Sequence, residues 1–125
     1  MAEECTVVSV ASGGRRLEAR ARRTGADLVV VVEGGSPHVG CVVLAVARPS
    51  TGGGGRSVST SVLTVPPHRE EALARPMAEA LARRFGGVVV VTAGVHEDGL
   101  DREGIDAWLR LGERLTRRLG EVLAG

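Results

Sequence analysis

The chain contains no lysine and no tyrosine, and its large aromatic residues are Phe85 and Trp108 alone. Without lysine, a Schiff-base mechanism and a Walker-type phosphate lysine are excluded. Two aromatic rings cannot furnish a stacking platform for bases, and they leave the core to valine, leucine and alanine. Cysteine is scarce as well. Cys5 and Cys41 fall in predicted strands without CxxC spacing, and are expected to be buried free thiols. No apolar run approaches the roughly 18 residues of a membrane span, and no basic-then-apolar leader opens the chain. The expectation is a cytoplasmic protein with no membrane partner. Neither charge sign is in excess: 16 basic and 15 acidic residues give a net +1. That balance argues against nucleic acid as a partner.

What is present is glycine, valine and arginine in a clear order. The 125 residues are read as one domain, 1–125. Residues 5–11 (CTVVSVA) form a first strand, and Ser12-Gly13-Gly14 a tight turn. Residues 17–23 alternate, with Leu17, Ala19 and Ala21 opposite Glu18, Arg20 and Arg22, as in a half-buried strand with a solvated arginine face. Residues 27–33 (DLVVVVE) read as a strand buried on both faces. Residues 39–48 form a nearly all-apolar fourth strand, and 49–55 (PSTGGGG) a flexible tip. Residues 56–65 form a fifth strand whose Ser57, Ser59 and Ser61 suit the wet face of an edge.

Helical spacing follows from 69 to 85, with Leu73, Met77, Ala80, Leu81 and Phe85 on one face. Pro76 implies either a kink or a helix starting there. Residues 88–93 (VVVVTA) read as a central strand buried on both faces. A last helix runs from about 102 to 123, with Asp101 as N-cap. Its stripe is Ile105, Trp108, Leu109, Gly112, Leu115, Leu119, Val122 and Leu123. The order βββββαβα predicts an α+β fold: a mostly antiparallel sheet of about six strands with two helices on one face.

The three histidines sit at predicted strand ends. Short connections imply antiparallel neighbours, so direction alternates through strand five, and the first helix then carries the chain back before strand six. Strand three then ends where strand four begins, at His38. Strands five and six end on the same edge, at His68 and His96. Both helices start there too, with N–H groups that favour an anion. Glu70, Glu97, Asp98 and a Gly-Gly turn join them on this upper edge. A lone histidine at a strand end is commonly a surface turn residue; three on one edge point to a site.

The segments GGSPHVGCVVLAVARP, RSVSTSVLTVPPHREE and VVVVTAGVHEDGLDREGI carry Gly-Gly-x-x-His-x-Gly, Pro-x-His-Arg-Glu and Gly-Val-His-x-Asp. In this order, over residues 33–105, they resemble the small D-subunit family of gallate- and vanillate-type decarboxylases, the LpdD-like prenylated-flavin chaperones. The resemblance implies a non-catalytic subunit with a proteasome-assembly-chaperone-like fold. It implies binding of reduced prenylated FMN, or FMN, and delivery to a UbiD-like aromatic-acid decarboxylase. The flavin prenyltransferase would be a second partner, and the chain a homodimer. The matched cofactor-binding positions are Gly34, Gly35, His38, Gly40, His68, Arg69, Glu70, Gly94, His96 and Asp98. A divalent metal on His38, His68 and His96 is a further expectation. Two alternatives remain: a metal-dependent enzyme using those three histidines, or a dimeric assembly chaperone without a small ligand, joined through its valine strands and the Trp108 helix.

Overall fold

The structure is a computed structural model that describes residues 4–50, 52, 55–66 and 70–125. Six strands and two helices follow in the expected order: β1 (Thr6–Ser12), β2 (Arg15–Thr24), β3 (Asp27–Gly35), β4 (Cys41–Pro49), β5 (Arg56–Thr64), α1 (Glu71–Phe85), β6 (Val88–His96) and α2 (Arg102–Ala124). They form a single domain with one sheet, in the spatial order β1-β2-β3-β6-β4-β5. The expected α+β class is borne out.

One assumption about neighbours is not. β3 and β4 are consecutive but do not pair; β6 lies between them, parallel to β3 and antiparallel to β4. The 36–40 connection therefore crosses the end of β6, where the Gly40 N–H donates to the Ala93 carbonyl at 2.8 Å. Each strand still runs in the direction predicted for it, so the shared upper edge survives the changed order.

Both helices cover one face. α1 packs on β4, β5 and β6, α2 packs on β1 and β2, and the helices touch each other. The core is the layer between: Leu17, Met77, Leu81, Leu115 and Leu119 are wholly or almost wholly buried. Burying each side chain of this size stabilises the fold by about 1.5–3 kcal/mol before cavity terms.

The reading of β3 and β6 as buried on both faces is corrected. Leu28, Val30 and Val32 are buried while Val29 and Val31 are exposed; in β6, Val89, Val91 and Ala93 are buried and Val88, Val90 and Thr92 only half so. A valine run conceals this alternation because the outward residues are apolar too.

α1 runs through Pro76 rather than restarting at it. Proline has no N–H, so the Ala72 carbonyl gains no helical partner there. In α2, Asp101 caps as expected, its Oδ1 accepting from the Gly104 N–H at 2.8 Å. The buried stripe is Trp108, Leu111, Gly112, Leu115 and Leu119. Ile105 and Val122 share that side but are 45% and 44% exposed. A 23-residue helix is about 34 Å long, and both residues lie near its ends. Cys41 is buried, which pushes its thiol up to about 11. Cys5 precedes β1 and is exposed, contrary to expectation.

Candidate functional site

The upper edge collects the ends of β3, β5 and β6, the start of β4, the β1–β2 turn and both helix N-termini. It brings together Gly34, Gly35, His38, Gly40, Glu70, Gly94, His96 and Asp98. His68 and Arg69 lie outside the described residues.

His38 sits in the crossing connection. Its Nδ1 lies 3.0 Å from the Ser36 carbonyl, and its Nε2 2.7 Å from Glu70 Oε2. A carbonyl can only accept, so Nδ1 carries a hydrogen. The short Nε2–Oε2 contact is then a hydrogen bond whose proton the imidazole and the Glu70 carboxyl share. The Ser36 hydrogen bond, against partial desolvation and aided by Glu70, raises the His38 pKa above its ordinary value. Glu70 immediately precedes α1 and is 7% exposed. The same Oε2 also accepts from the Val95 N–H at 3.2 Å. The carboxylate thus ties the start of α1 to β6 and to the crossing connection.

His96 ends β6. Its ring meets that of His38 edge-on, with centroids 6.4 Å apart and planes at 85°. Its Nε2 is 2.9 Å from Asp98 Oδ1. One residue on, Glu97 turns to the helix side. It accepts from Arg15 Nε at 2.7 Å and Nη2 at 3.1 Å, and from Trp108 Nε1 at 3.0 Å. The Arg15 bond above all holds the Glu97 carboxyl below its usual range.

The motif glycines are places of close approach, and the protein's own groups fill the space. A Cβ on Gly34 would stand 2.8 Å from the Trp108 ring. One on Gly40 would collide with the Glu70 carboxylate, and one on Gly94 with the His38 carbonyl. Gly35 has φ +69° and lies against the His96 carbonyl. Their spacing in sequence records what must pack there.

Beside His96 an open cleft of about 480 Å³ is lined by Gly13, Gly14, Arg15, Arg16, Gly35, His96, Glu97 and Trp108. This lies within the range of about 300–1,000 Å³ typical of ligand pockets. Arg15, Arg16 and Trp108 were not among the sequence-predicted site residues. Arg16 lies on the exposed side of β2, whereas Arg15 turns inward to Glu97. Only the β2–β3 register, which places Leu17 opposite Gly34, brings them to the edge. Among the described residues, no group of three His, Cys, Asp or Glu side chains is arranged to hold a metal ion.

Comparison with curated protein sequences gives no match. Among solved structures, one similar chain belongs to a chaperone complex for yeast 20S proteasome assembly; the TM-score is 0.59 at 18% identity, with 95% of this chain and 96% of that one covered. That likeness establishes the fold, with its six-stranded sheet and two helices, and no more. The sequence itself matches a family model, the prenylated flavin chaperone LpdD-like domain, over residues 11–124. Given a match over nearly the whole length, the chain belongs to the LpdD-like prenylated flavin chaperone family.

Proposed function

We propose that the chain binds reduced prenylated FMN, or FMN, at the upper edge and passes it to a UbiD-like aromatic-acid decarboxylase without itself catalysing a reaction. The flavin prenyltransferase is the natural source of the cofactor. The observation that carries this reading is the cleft beside His96, in a chain of this family. The cleft has the size of a cofactor pocket. It offers what a phosphorylated flavin needs. Arg16 supplies a guanidinium for an anion. The Gly13-Gly14 turn exposes backbone at the rim, and the His96 and Trp108 edges are walls for a ring system. His38, held by Glu70, stands edge-on behind His96. Gly34, Gly35, Gly40, Gly94, Glu70 and Asp98 shape and hold these groups, and His68 and Arg69 belong to the same set by sequence. When bound, the cofactor supplies the decarboxylation chemistry in the client enzyme; this chain's residues bind and orient it. The cytoplasm, where Cys5 and Cys41 stay reduced, is the fitting compartment.

The donor set does not favour the three-histidine metal reading. Both His38 nitrogens already face oxygen atoms, and His96 Nε2 faces Asp98. A metal ligand must give a nitrogen lone pair, and here the Nε2 atoms of His38 and His96 are turned to protein carboxylates instead. The same observation weighs against a metal-dependent enzyme at this edge.

The test is anaerobic calorimetry of the purified chain with reduced prenylated FMN, reduced FMN and FMN in turn. Saturable binding to at least one is expected, weakened about 10-fold or more by Arg16→Ala or His96→Ala, since hydrogen bonds to charged groups are worth roughly 1.5–3 kcal/mol. Binding of none of the three overturns the proposal. Transfer is checked by adding the loaded chain to cofactor-free decarboxylase and following the appearance of activity.

A further inference from the structure

The near-zero net charge hides a division along the strands. Towards the upper edge and the middle of the molecule, arginines meet carboxylates: Arg15 meets Glu97, Arg20 meets Glu18, and Arg75 meets Glu71 and Glu79. The opposite, lower edge is different. It holds the ends of β2 and β4, the starts of β3, β5 and β6, and the C-termini of both helices. Arg23, Arg48, Arg56, Arg83 and Arg84 stand on it, all exposed. Among the described residues, none of them makes an ion pair with a carboxylate. Their contacts are with neutral groups. Arg23 Nη2 donates to the Leu123 carbonyl at 3.1 Å, and Arg56 Nη1 to the Arg83 and Arg84 carbonyls at 2.7 and 3.2 Å. Arg48 Nε donates to Ser59 Oγ at 3.0 Å. The guanidinium groups of Arg23 and Arg84 lie 5.4 and 5.7 Å from the centroid of the Phe85 ring. Helix capping explains part of this, since cations favour helix C-termini. Arg56 serves α1 in that way and Arg23 serves α2. Arg48, Arg83 and Arg84 make no such bond, and each adds like charge to the same edge. Two clefts adjoin the row. One of about 370 Å³ is lined by Arg22, Arg23 and Leu123 among others, and one of about 310 Å³ by Arg48, Arg56, Gly86 and Gly87 among others.

We infer that the lower edge docks an acidic segment of a partner protein, whose Asp and Glu side chains pair with these arginines. Charge complementarity selects that occupant. A guanidinium is a planar fork that matches a carboxylate through two parallel hydrogen bonds. Length agrees. From β2 to β5 the sheet order β2-β3-β6-β4-β5 makes four strand spacings, about 19 Å at roughly 4.8 Å each, which is the reach of about six extended residues. Other anionic surfaces fit less well. Single-stranded nucleic acid is held by stacking on open aromatic faces, whereas Phe85 is half-buried with two guanidinium groups beside its ring. A membrane surface takes up apolar side chains next to basic ones, and here Phe85 and Leu123 are half-buried. A second copy would have to bring its carboxylate-bearing upper edge, a head-to-tail contact that does not close on itself. The lower edge lies away from His96, so a partner held there leaves the cleft at the upper edge open. The inference stands independently of any flavin site.

Fluorescence anisotropy of the full chain with a labelled peptide of about six glutamates, beside its glutamine counterpart, tests it. Saturable binding of the glutamate peptide alone is expected. It should weaken about 10-fold or more between about 0.05 and 0.5 M salt, as screening shortens the reach of the charges. Replacing Arg48, Arg83 and Arg84 together by Gln should weaken it about 10-fold, with the far-UV circular dichroism unchanged. Arg48→Gln alone should act in the same direction, about 3-fold, and carries the test if the triple variant fails to fold. Arg110→Gln removes a charge from an exposed position in the middle of α2 and should leave binding unchanged. No binding, equal binding of the glutamine peptide, or binding untouched by Arg48→Gln and by the folded triple variant overturns the inference. So does tighter binding to phosphatidylglycerol vesicles or to poly(U) RNA that is lost in the same variants, since the edge would then belong to a membrane or a nucleic acid. Growth of mass beyond two copies in sedimentation velocity, lost in the same variants, would give the edge to further copies of the chain and overturns it as well.

Discussion

Glu70 carries more of the site than any other single residue. One carboxylate oxygen receives both His38 and the Val95 N–H, and Gly40 leaves room for it. Replacing Glu70 by Gln removes the charge and keeps the shape. The His38 pKa should then fall towards its ordinary value, retaining the part due to Ser36. Titration followed by ¹H–¹⁵N NMR of the ring reads this directly; an unmoved His38 would contradict the pairing. The stability consequence has a definite sign. His38 has a folded pKa above its unfolded one, so its contribution is full below pH about 6.5 and is lost as pH rises through the folded value. Wild type should therefore lose more stability than Glu70→Gln between pH about 5.5 and 8.5 in urea melts. At low pH the substitution should cost roughly 1–3 kcal/mol. At this scale the sequence was half legible. His38 and His96 could be placed on one edge from strand order alone. That Glu70 answers His38 could not be seen, because 32 residues separate them and only the folded register closes the gap. The glycines were noticed as permissive backbone, but what fills the space beside them depends on Trp108, Glu70 and the His38 carbonyl, none of which is near in sequence.

The elements were easier to read than their surroundings. Asp101 before a periodic apolar stripe sufficed to place the start of α2, and the capping bond is present at 2.8 Å. Asp101→Ala should lower stability by about 1 kcal/mol in chemical denaturation. The cap also fixes where α2 leaves the edge, four residues after Glu97, so the Trp108–Glu97 bond should loosen and the indole emission shift to the red. Unchanged stability would mean that the first turn is held by packing alone. Burial was the weaker reading. Four valines in β3 and in β6 look alike whether a strand is covered on one side or two. Polar residues would have signalled solvent; valines on the outward face do not. Ile105 and Val122 were misjudged for a related reason: periodicity gives the side of a helix, not how much of that side is covered.

For the molecule as a whole, element order carried the class and the shared edge but not the neighbours. Nothing in the local sequence says that a strand formed from residues 88–96 will enter between two that precede it. That insertion has a consequence in time. β1–β2–β3 and β4–β5 are antiparallel units built from adjacent segments, and they join only through β6 and the helices. As the chain emerges from the ribosome, the inner edges of β3 and β4 wait unpaired until at least residue 96 has been made, each a bare template for another strand. A chain ended at Gly87 should show no cooperative melting and should aggregate, whereas adding a separate peptide of residues 86–125 should restore a cooperative transition; a truncated form that melts cooperatively unaided would contradict this order. A protein of a chaperone family is thus itself completed late, by a single strand that closes the sheet and sets His96 in place in the same step.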